Sequence, residues 1–346
     1  MVNSSIVGDR GIAVILVNYR GADDTIECLA SLFSGDTIPY VIVADNASGD
    51  GSVARIAAWA DGKGSVPVAN PAHANEAYER IERPIEYEVL GPGDLAHGLR
   101  KPLTLIETGG NLGFAGGNNR GLELALNNPE IDLFWLLNND TIVEPDTVRK
   151  LRQAFADAPD HAMLGTPLRL YHDRDRHQLL NGMRFNKWTG AAAGIAGGSA
   201  IDSPFDRQDV IAKSDFVCGA SLAVTRPFLE DVGLLEERFF LYYEEIDWAM
   251  RAKKGRHRTG FADQAIVYHK EGASAGSASR LSRRARSPLS EYHHIRSKMI
   301  FCRKHFPALL PLYFAQNLVI FARRVARRQP QQARAILRAT FGRPLG

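Results

Sequence analysis

Ile12–Asn46, IAVILVNYRGADDTIECLASLFSGDTIPYVIVADN, contains two runs that are apolar throughout, Ile12–Val17 and Tyr40–Ala44. Between them, Ile26, Leu29, Ala30, Leu32 and Phe33 fall at helical spacing, which predicts a helix over Ala22–Phe33. Strands without polar alternation are buried on both faces. Their alternation with a helix predicts a parallel sheet covered by helices on each side. The second run stops at the polar turn Asp45–Ser52, which leads into a short helix over Val53–Ala60. In sheets of this kind ligands bind at the carboxyl ends of the strands, so polar residues at those ends are the candidates for chemistry.

Outward from this unit, residues 61–100 break the rhythm, with short apolar pieces only near Val66–Val68 and Tyr87–Leu90. The segment reads as an insertion at the sheet edge, since connections beyond about 15 residues are uncommon in compact domains. The alternation resumes with a strand over Leu103–Glu107, a glycine-rich loop from Gly109 to Gly121, a helix through Leu122–Leu126 and the strand Leu133–Leu137. Further strands are expected around Met163–Leu170 and Phe216–Thr225, on either side of the polar, glycine-rich stretch 181–209. Three polar clusters follow these elements: Asp45-Asn46, Asn138-Asn139-Asp140 and, after a helix-like stretch, Glu244-Glu245-Ile246-Asp247. Singly, such residues cap helices. Together with a glycine-rich loop that lets backbone approach a charged ligand, they suit a bound anion and a hard cation. The loop is neither a Walker loop nor a GxGxxG fingerprint.

The composition is that of a globular protein: of 346 residues, 45% are apolar and 23% charged. The formal net charge of +3 hides an asymmetry. Residues 1–275 hold 27 Lys and Arg against 38 Asp and Glu, a balance of −11, whereas residues 276–346 hold 15 basic residues and the single acid Glu291, a balance of +14. Cys28, Cys218 and Cys302 form neither a disulfide framework nor a zinc ribbon, which points to a reducing compartment. The run Ile12–Val17 is too short for a signal-peptide core or a membrane span, so a cytoplasmic protein is expected.

Five stretches in order, Val14–Tyr19, Val43–Ser52, Asn111–Gly121, Leu136–Asp140 and Phe239–Trp248, resemble the family 2 glycosyltransferases, in the branch that includes bacterial rhamnosyltransferases. The resemblance covers roughly residues 12–272 apart from 61–100. It implies an α/β fold of the GT-A type, with a mostly parallel central sheet flanked by helices, that binds a nucleotide-diphosphate sugar across the strand ends. It also implies a divalent cation, Mg2+ or Mn2+, bridging the diphosphate. By position, Asp45 matches the residue that contacts a uracil or thymine ring, with Asn18, Asn46, Gly113, Asn118, Asn138 and Asn139 on the donor side. Asp140 and His269 match the metal ligands, although Asn138 stands where the family's DxD motif has its first carboxylate. A histidine beside Asp oxygens suits manganese better than magnesium. Glu245 matches the catalytic base of an inverting transfer, and Glu244, Asp215 and Gly219 fall on the acceptor side. Trp248 and Arg251 follow on the helix after the base.

The catalytic region is thus expected over 1–275 and a basic helical extension over 276–346. Within the extension, Ala308–Ala322 is apolar but short of the ~20 residues that span a bilayer. An interfacial helix attracted to an anionic membrane, at the inner face of the cell membrane, and a helical pair packed on the catalytic part are both compatible with it. No nucleic-acid motif is present, so nucleic acid is not an expected partner. The expected acceptor is a glycan or lipid-linked sugar in cell-surface polysaccharide synthesis. A second reading, a catalytically weak sugar-nucleotide-binding scaffold, rests on the incomplete DxD and on Glu in place of the family's usual Asp at 245. A nucleotidylyltransferase is disfavoured because no glycine-rich, Arg-containing loop follows the first strand.

Overall fold

The computed structural model describes residues 11–73, 78, 81–255, 257–270 and 286–345. The chain opens with β1 (Ile12–Asn18), α1 (Ala22–Phe33), β2 (Tyr40–Asp45) and α2 (Ser52–Ala60), then β3 (Tyr87–Leu90), β4 (Leu103–Glu107), α3 (Gly113–Leu126) and β5 (Leu133–Leu137). It continues through β6 (Thr141–Val143), α4 (Thr147–Asp157), β7 (His161–Gly165), β8 (Pro167–Leu170), β9 (His177–Leu180), β10 (Gly182–Asn186) and β11 (Ala191–Gly194). After α5 (Arg207–Lys213) come β12 (Phe216–Val217), β13 (Ser221–Thr225), α6 (Arg226–Val232), α7 (Glu244–Lys254), β14 (Arg258–Phe261) and β15 (Val267–His269). Three helices follow: α8 (Pro288–His305), α9 (Leu310–Ala326) and α10 (Pro330–Thr340).

Eight strands form the central sheet in the order β14-β7-β13-β5-β1-β2-β4-β3. Every pairing is parallel except those that β13 makes with β5 and β7. Alternate residues feed opposite faces, as strand geometry requires. Val14, Leu16, Val43 and Trp135 pack on the side of α1 and α2, with Leu29, Ile56 and Trp59. Ile15, Ile42, Phe134 and Leu136 pack on the other side, with Leu122 of α3 and Trp248 of α7. Register aligns the strand ends: Asn18 pairs with Asp45, and Asp45 with Glu107.

Several expectations are corrected. Most of the glycine-rich loop is helix, because α3 begins at Gly113 and carries Asn118 on its second turn. Gly113 is required there: its φ is +72°, and a Cβ would lie 2.1 Å from the Phe240 carbonyl oxygen. The stretch 61–100 is not wholly an excursion, since β3 pairs in parallel with β4 and forms the sheet edge. The strand expected over 163–170 breaks at Thr166 into β7 and β8, which join different sheets, and 181–209 holds the hairpin β10–β11. The stretch before Glu244 is not helical: Tyr242 and Tyr243 have φ of 69° and 73°, a left-handed pair that turns the chain sharply into α7.

The C-terminal helices pack on the rest of the protein and on one another. Phe301 of α8 joins Phe216, Phe239 and Tyr243, while Tyr292 and Ile295 pack on Ala335, Ile336 and Ala339 of α10. Of the basic run Ser279–Arg286, only Arg286 is among the described residues. No helix among the described residues is long and apolar enough to cross a membrane. All three cysteines are free and buried.

Candidate active site

The ends of β1, β2 and β5 meet in one hydrogen-bonded network. Asn18 Nδ2 donates to Asp45 Oδ2 at 2.6 Å, and the Ser48 hydroxyl donates to the same oxygen at 2.6 Å. The Ser48 N–H donates to Asp45 Oδ1 at 2.9 Å. Asn46 Nδ2 donates to the Gly113 carbonyl at 2.8 Å, tying the end of β2 to the start of α3. Asn139 Nδ2 donates to Thr25 Oγ1 at 2.9 Å, so Asn139 fixes the turn after β5 against α1.

In front of this network lies a cavity of about 720 Å³. Asn46, Gly113, Asn138, Asn139 and Asp140 line it at the strand ends, with His269; Gly219, Glu244 and Glu245 line it too. Asn18, Asp45 and Asn118 do not line it. The first two sit behind its wall, and Asn118 Nδ2 donates to the Phe114 carbonyl within α3. Asp215 is also outside, accepting from the Phe185 N–H at 2.8 Å and facing Lys253 at 3.8 Å. Trp248 is buried and donates to the Gly233 carbonyl, and Arg251 binds Asp247 and the carbonyls of Val232 and Leu234, so both fasten α7 to the fold.

Asp140 and His269 meet where the turn after β5 reaches the end of β15. His269 Nε2 is 3.1 Å from Asp140 Oδ1 and 3.2 Å from Asn138 Nδ2. Its Nδ1 lies 2.9 Å from Gln178 Oε1. An amide oxygen only accepts, so this contact puts a proton on Nδ1. In the imidazolium form Nε2 would donate to Asp140 as an ion pair; in the neutral form it offers a lone pair beside the Asp140 oxygen, and about 3 Å is the separation of adjacent ligands each ~2.1 Å from one ion. The pair therefore fits a divalent metal. No cluster of three or more His, Cys, Asp or Glu among the described residues could hold one, so the remaining ligands must come from elsewhere, as is ordinary for a cation that travels with a diphosphate.

α7 starts at Glu244, and its first two carboxylates line the same cavity. Burial raises Glu244 well above the ordinary carboxylate range, and the charge of Glu245 adds to the effect. Burial raises Glu245 too, against the opposing influence of N–H donation from its own backbone and from Gly219. Oε2 of each is shielded from solvent and has no hydrogen-bond partner among the described residues. Gly219 matters through what it lacks, since a Cβ would lie 3.3 Å from Glu245 Oε1.

Sequence reasoning did not find Gln178, nor the wall supplied by α8 and by Arg286, two residues before it: Arg286, Ser290, His293 and His294. His293 stacks on Phe240 at 4.2 Å between ring centres, and the Ser290 and Tyr242 hydroxyls lie 2.8 Å apart. Burial, with the charges of Arg286 and Lys298, lowers His294 to about 3, so its ring is neutral at physiological pH. No motif marks these residues; the only signal was their place in a helix-like stretch that the charge count had assigned to a tail.

A family model described as "Glycosyltransferase like family 2" matches residues 96–287. A curated relative, the low-salt glycan biosynthesis hexosyltransferase Agl10 of Haloferax volcanii, is 24% identical over 169 residues, 48% of this chain and 51% of that protein. The chain thus spans about half the length of the curated relative it matches. Among solved structures, the mannosyltransferase PcManGT from Pyrobaculum calidifontis, in complex with GDP-Man and Mn2+, superposes with a TM-score of 0.50 and 14% identity over 96% of this chain and 86% of that one. GalNAc-T7 with UDP, GalNAc and Mn2+ gives 0.51 and 10% identity over 85% of this chain and 48% of that one. With the fold these neighbours share and a family model spanning more than half of its residues, the chain belongs to the family 2-like glycosyltransferases and has the GT-A fold.

Proposed function

We propose that the protein is an inverting, metal-dependent glycosyltransferase that moves a hexose from a nucleotide-diphosphate donor to a glycan or lipid-linked acceptor in cell-surface polysaccharide synthesis. The observation that carries the reading is that a metal-fitting pair, Asp140–His269, and a raised carboxylate pair, Glu244–Glu245, line one cavity. Rhamnose is the first sugar to test, because the motif pattern resembles the rhamnosyltransferase branch. In this proposal Asp45, behind the cavity wall, orders the end of β2 through Asn18 and Ser48 where the nucleobase would bind, and Asn46, Gly113, Asn138 and Asn139 hold the rest of the donor. Asp140 and His269 hold Mg2+ or Mn2+, which when bound would stabilise the charge of the leaving diphosphate. The Mn2+ of the two solved neighbours supports that assignment. Glu245 removes the proton of the acceptor hydroxyl as its oxygen attacks the anomeric carbon. One base suffices and no enzyme nucleophile is needed. Gly219 and Glu244 lie beside the acceptor, whereas Asp215, outside the cavity, reaches it only through a large or extended acceptor. The basic extension holds the protein to an anionic membrane at the inner face of the cell membrane.

A thermal-shift screen of nucleotide sugars, with and without Mn2+ or Mg2+, tests the donor and metal assignments. A donor at 100 times its dissociation constant is expected to stabilise the fold by about 2.7 kcal/mol. Asp140→Ala should lose the part of that stabilisation that depends on metal. A screen in which no sugar nucleotide shifts the melting temperature would sink the reading.

A further inference from the structure

We infer that the exposed face of α9 and the turn carrying Trp188 form one membrane-contact surface beside the mouth of the cavity, and that its occupant is an anionic lipid bilayer. This rests on the proposed function and deepens it, by naming the residues that touch the lipid and where they lie relative to the site.

The face of α9 is periodic. At 100° per residue, Leu312, Ala315, Leu318, Val319, Ala322 and Val325 fall within an arc of about 140°. All six are exposed, with Leu318, Val319 and Val325 at 50%, 52% and 53%. The opposite side is fastened to the protein: Tyr313 and Asn317 are buried, and Arg324 donates to Glu291 at 2.7 Å. α9 also packs inward through Leu310, Tyr313, Phe314, Ile320 and Phe321, so the exposed stripe is a second apolar side, which a surface helix normally lacks. The helix contains no Asp or Glu. Arg323 borders the stripe and Arg327 and Arg328 close its end; none of the three is paired with a carboxylate among the described residues. An apolar stripe flanked by unpaired arginines is complementary to acyl chains beneath anionic headgroups. At 17 residues, α9 suits lying in the interface rather than crossing it.

Trp188 is a further exposed apolar residue beside α9, in a turn held by Gln316 and Tyr313. It is 56% exposed, in the turn between β10 and β11, with Lys187 Nζ 5.3 Å from its ring centre. Tyr313 donates to the Lys187 carbonyl at 2.8 Å and Gln316 to the Trp188 carbonyl at 2.6 Å, so α9 holds the turn. The residues that follow, Gly190, Ala191 and Ala192, line the cavity. An acceptor anchored in the same bilayer would therefore meet the cavity at the edge where Trp188 and α9 touch the lipid.

The full chain can be tested with large vesicles of phosphatidylcholine alone or mixed with phosphatidylglycerol. Co-sedimentation is expected with the anionic vesicles only, and Leu318→Glu with Val319→Glu should weaken it about tenfold or more. Trp188 supplies its own probe, because Trp59, Trp135 and Trp248 are at most 2% exposed. Binding should shift tryptophan emission to the blue, brominated lipid should quench it, and Trp188→Phe should remove both signals. Thermal shift with a nucleoside diphosphate reports on folding and the donor site separately, and should be the same in all these proteins. Binding that survives the double substitution, equal binding to both vesicle types, or a dimer in solution that the double substitution splits would overturn the inference. The last would assign the stripe to a second copy of the chain.

Discussion

Replacing Glu245 by Gln is expected to slow sugar transfer by about 10²–10⁴-fold, the usual contribution of a general base, while nucleoside-diphosphate binding stays at its wild-type value. The substitution keeps the shape and an Oε1 that can still accept the Gly219 N–H, so only proton acceptance is lost. Because burial raises Glu245, the acid limb of its rate profile should lie above the ordinary carboxylate range of about 4.3. The base works only when ionised, so activity rises with pH through that limb. Burial and the charge of Glu245 raise Glu244 as well, so the two carboxylates share one coupled titration. On the proposal that Glu244 holds the shared proton while Glu245 serves as base, Glu244→Gln should leave the limb where it is. Single-turnover transfer measured across pH, with donor binding measured by calorimetry, checks both substitutions. Wild-type turnover by the Glu245→Gln protein would remove that residue from the mechanism, and a limb moved down by Glu244→Gln would mean both carboxylates are ionised in the working enzyme.

What was legible in the sequence was set by where apolar runs stop. β1, β2 and β5 are buried on both faces, so their ends show as abrupt changes to Asn and Asp, and the strand-end side of the cavity could be located from them. The start of α3 was hidden because its glycines read as a loop, whereas Gly113 supplies one left-handed residue and close packing against Phe240, and Gly121 packs on Ile15 inside the helix. Gln178 was illegible: it faces His269 only because β9 and β15 both join β8, and no local pattern records that pairing. The α8 wall escaped for a different reason. Net charge is an average over a segment, and it cannot separate α8, packed on the fold with its histidines turned to the cavity, from α9, which keeps a second apolar side facing out.

Asp247 is where the catalytic helix and the extension are locked together, and Asp247→Ala is expected to destabilise the protein by about 3–5 kcal/mol, the cost of stranding buried partners of a removed charge. Asp247 is 0% exposed and meets four contacts: Arg251 Nε at 3.0 Å, Lys304 Nζ at 2.7 and 3.0 Å from its two oxygens, and His305 Nε2 at 2.7 Å. Burial alone would raise its pKa, but hydrogen bonds from His305 and Lys304 and the charges of Lys304 and Arg251 outweigh it and hold the group at about 2. A pKa depressed by folding stabilises the native state above the unfolded value, near 3.9, and that contribution is lost as pH falls from there toward 2. Asp247→Asn should remove this acid-sensitive portion while disturbing packing least. Lys304 and His305 close α8, whose opposite end carries Ser290, His293 and His294 into the cavity, so a loosened α8 should also weaken substrate binding more than it slows the chemical step. Chemical denaturation at pH 7 and between pH 4 and 2 measures both effects. Wild-type stability in the Asp247→Ala protein would mean that α8 is held by its apolar contacts, Phe301 and Met299 first, and that the buried charge cluster contributes nothing net.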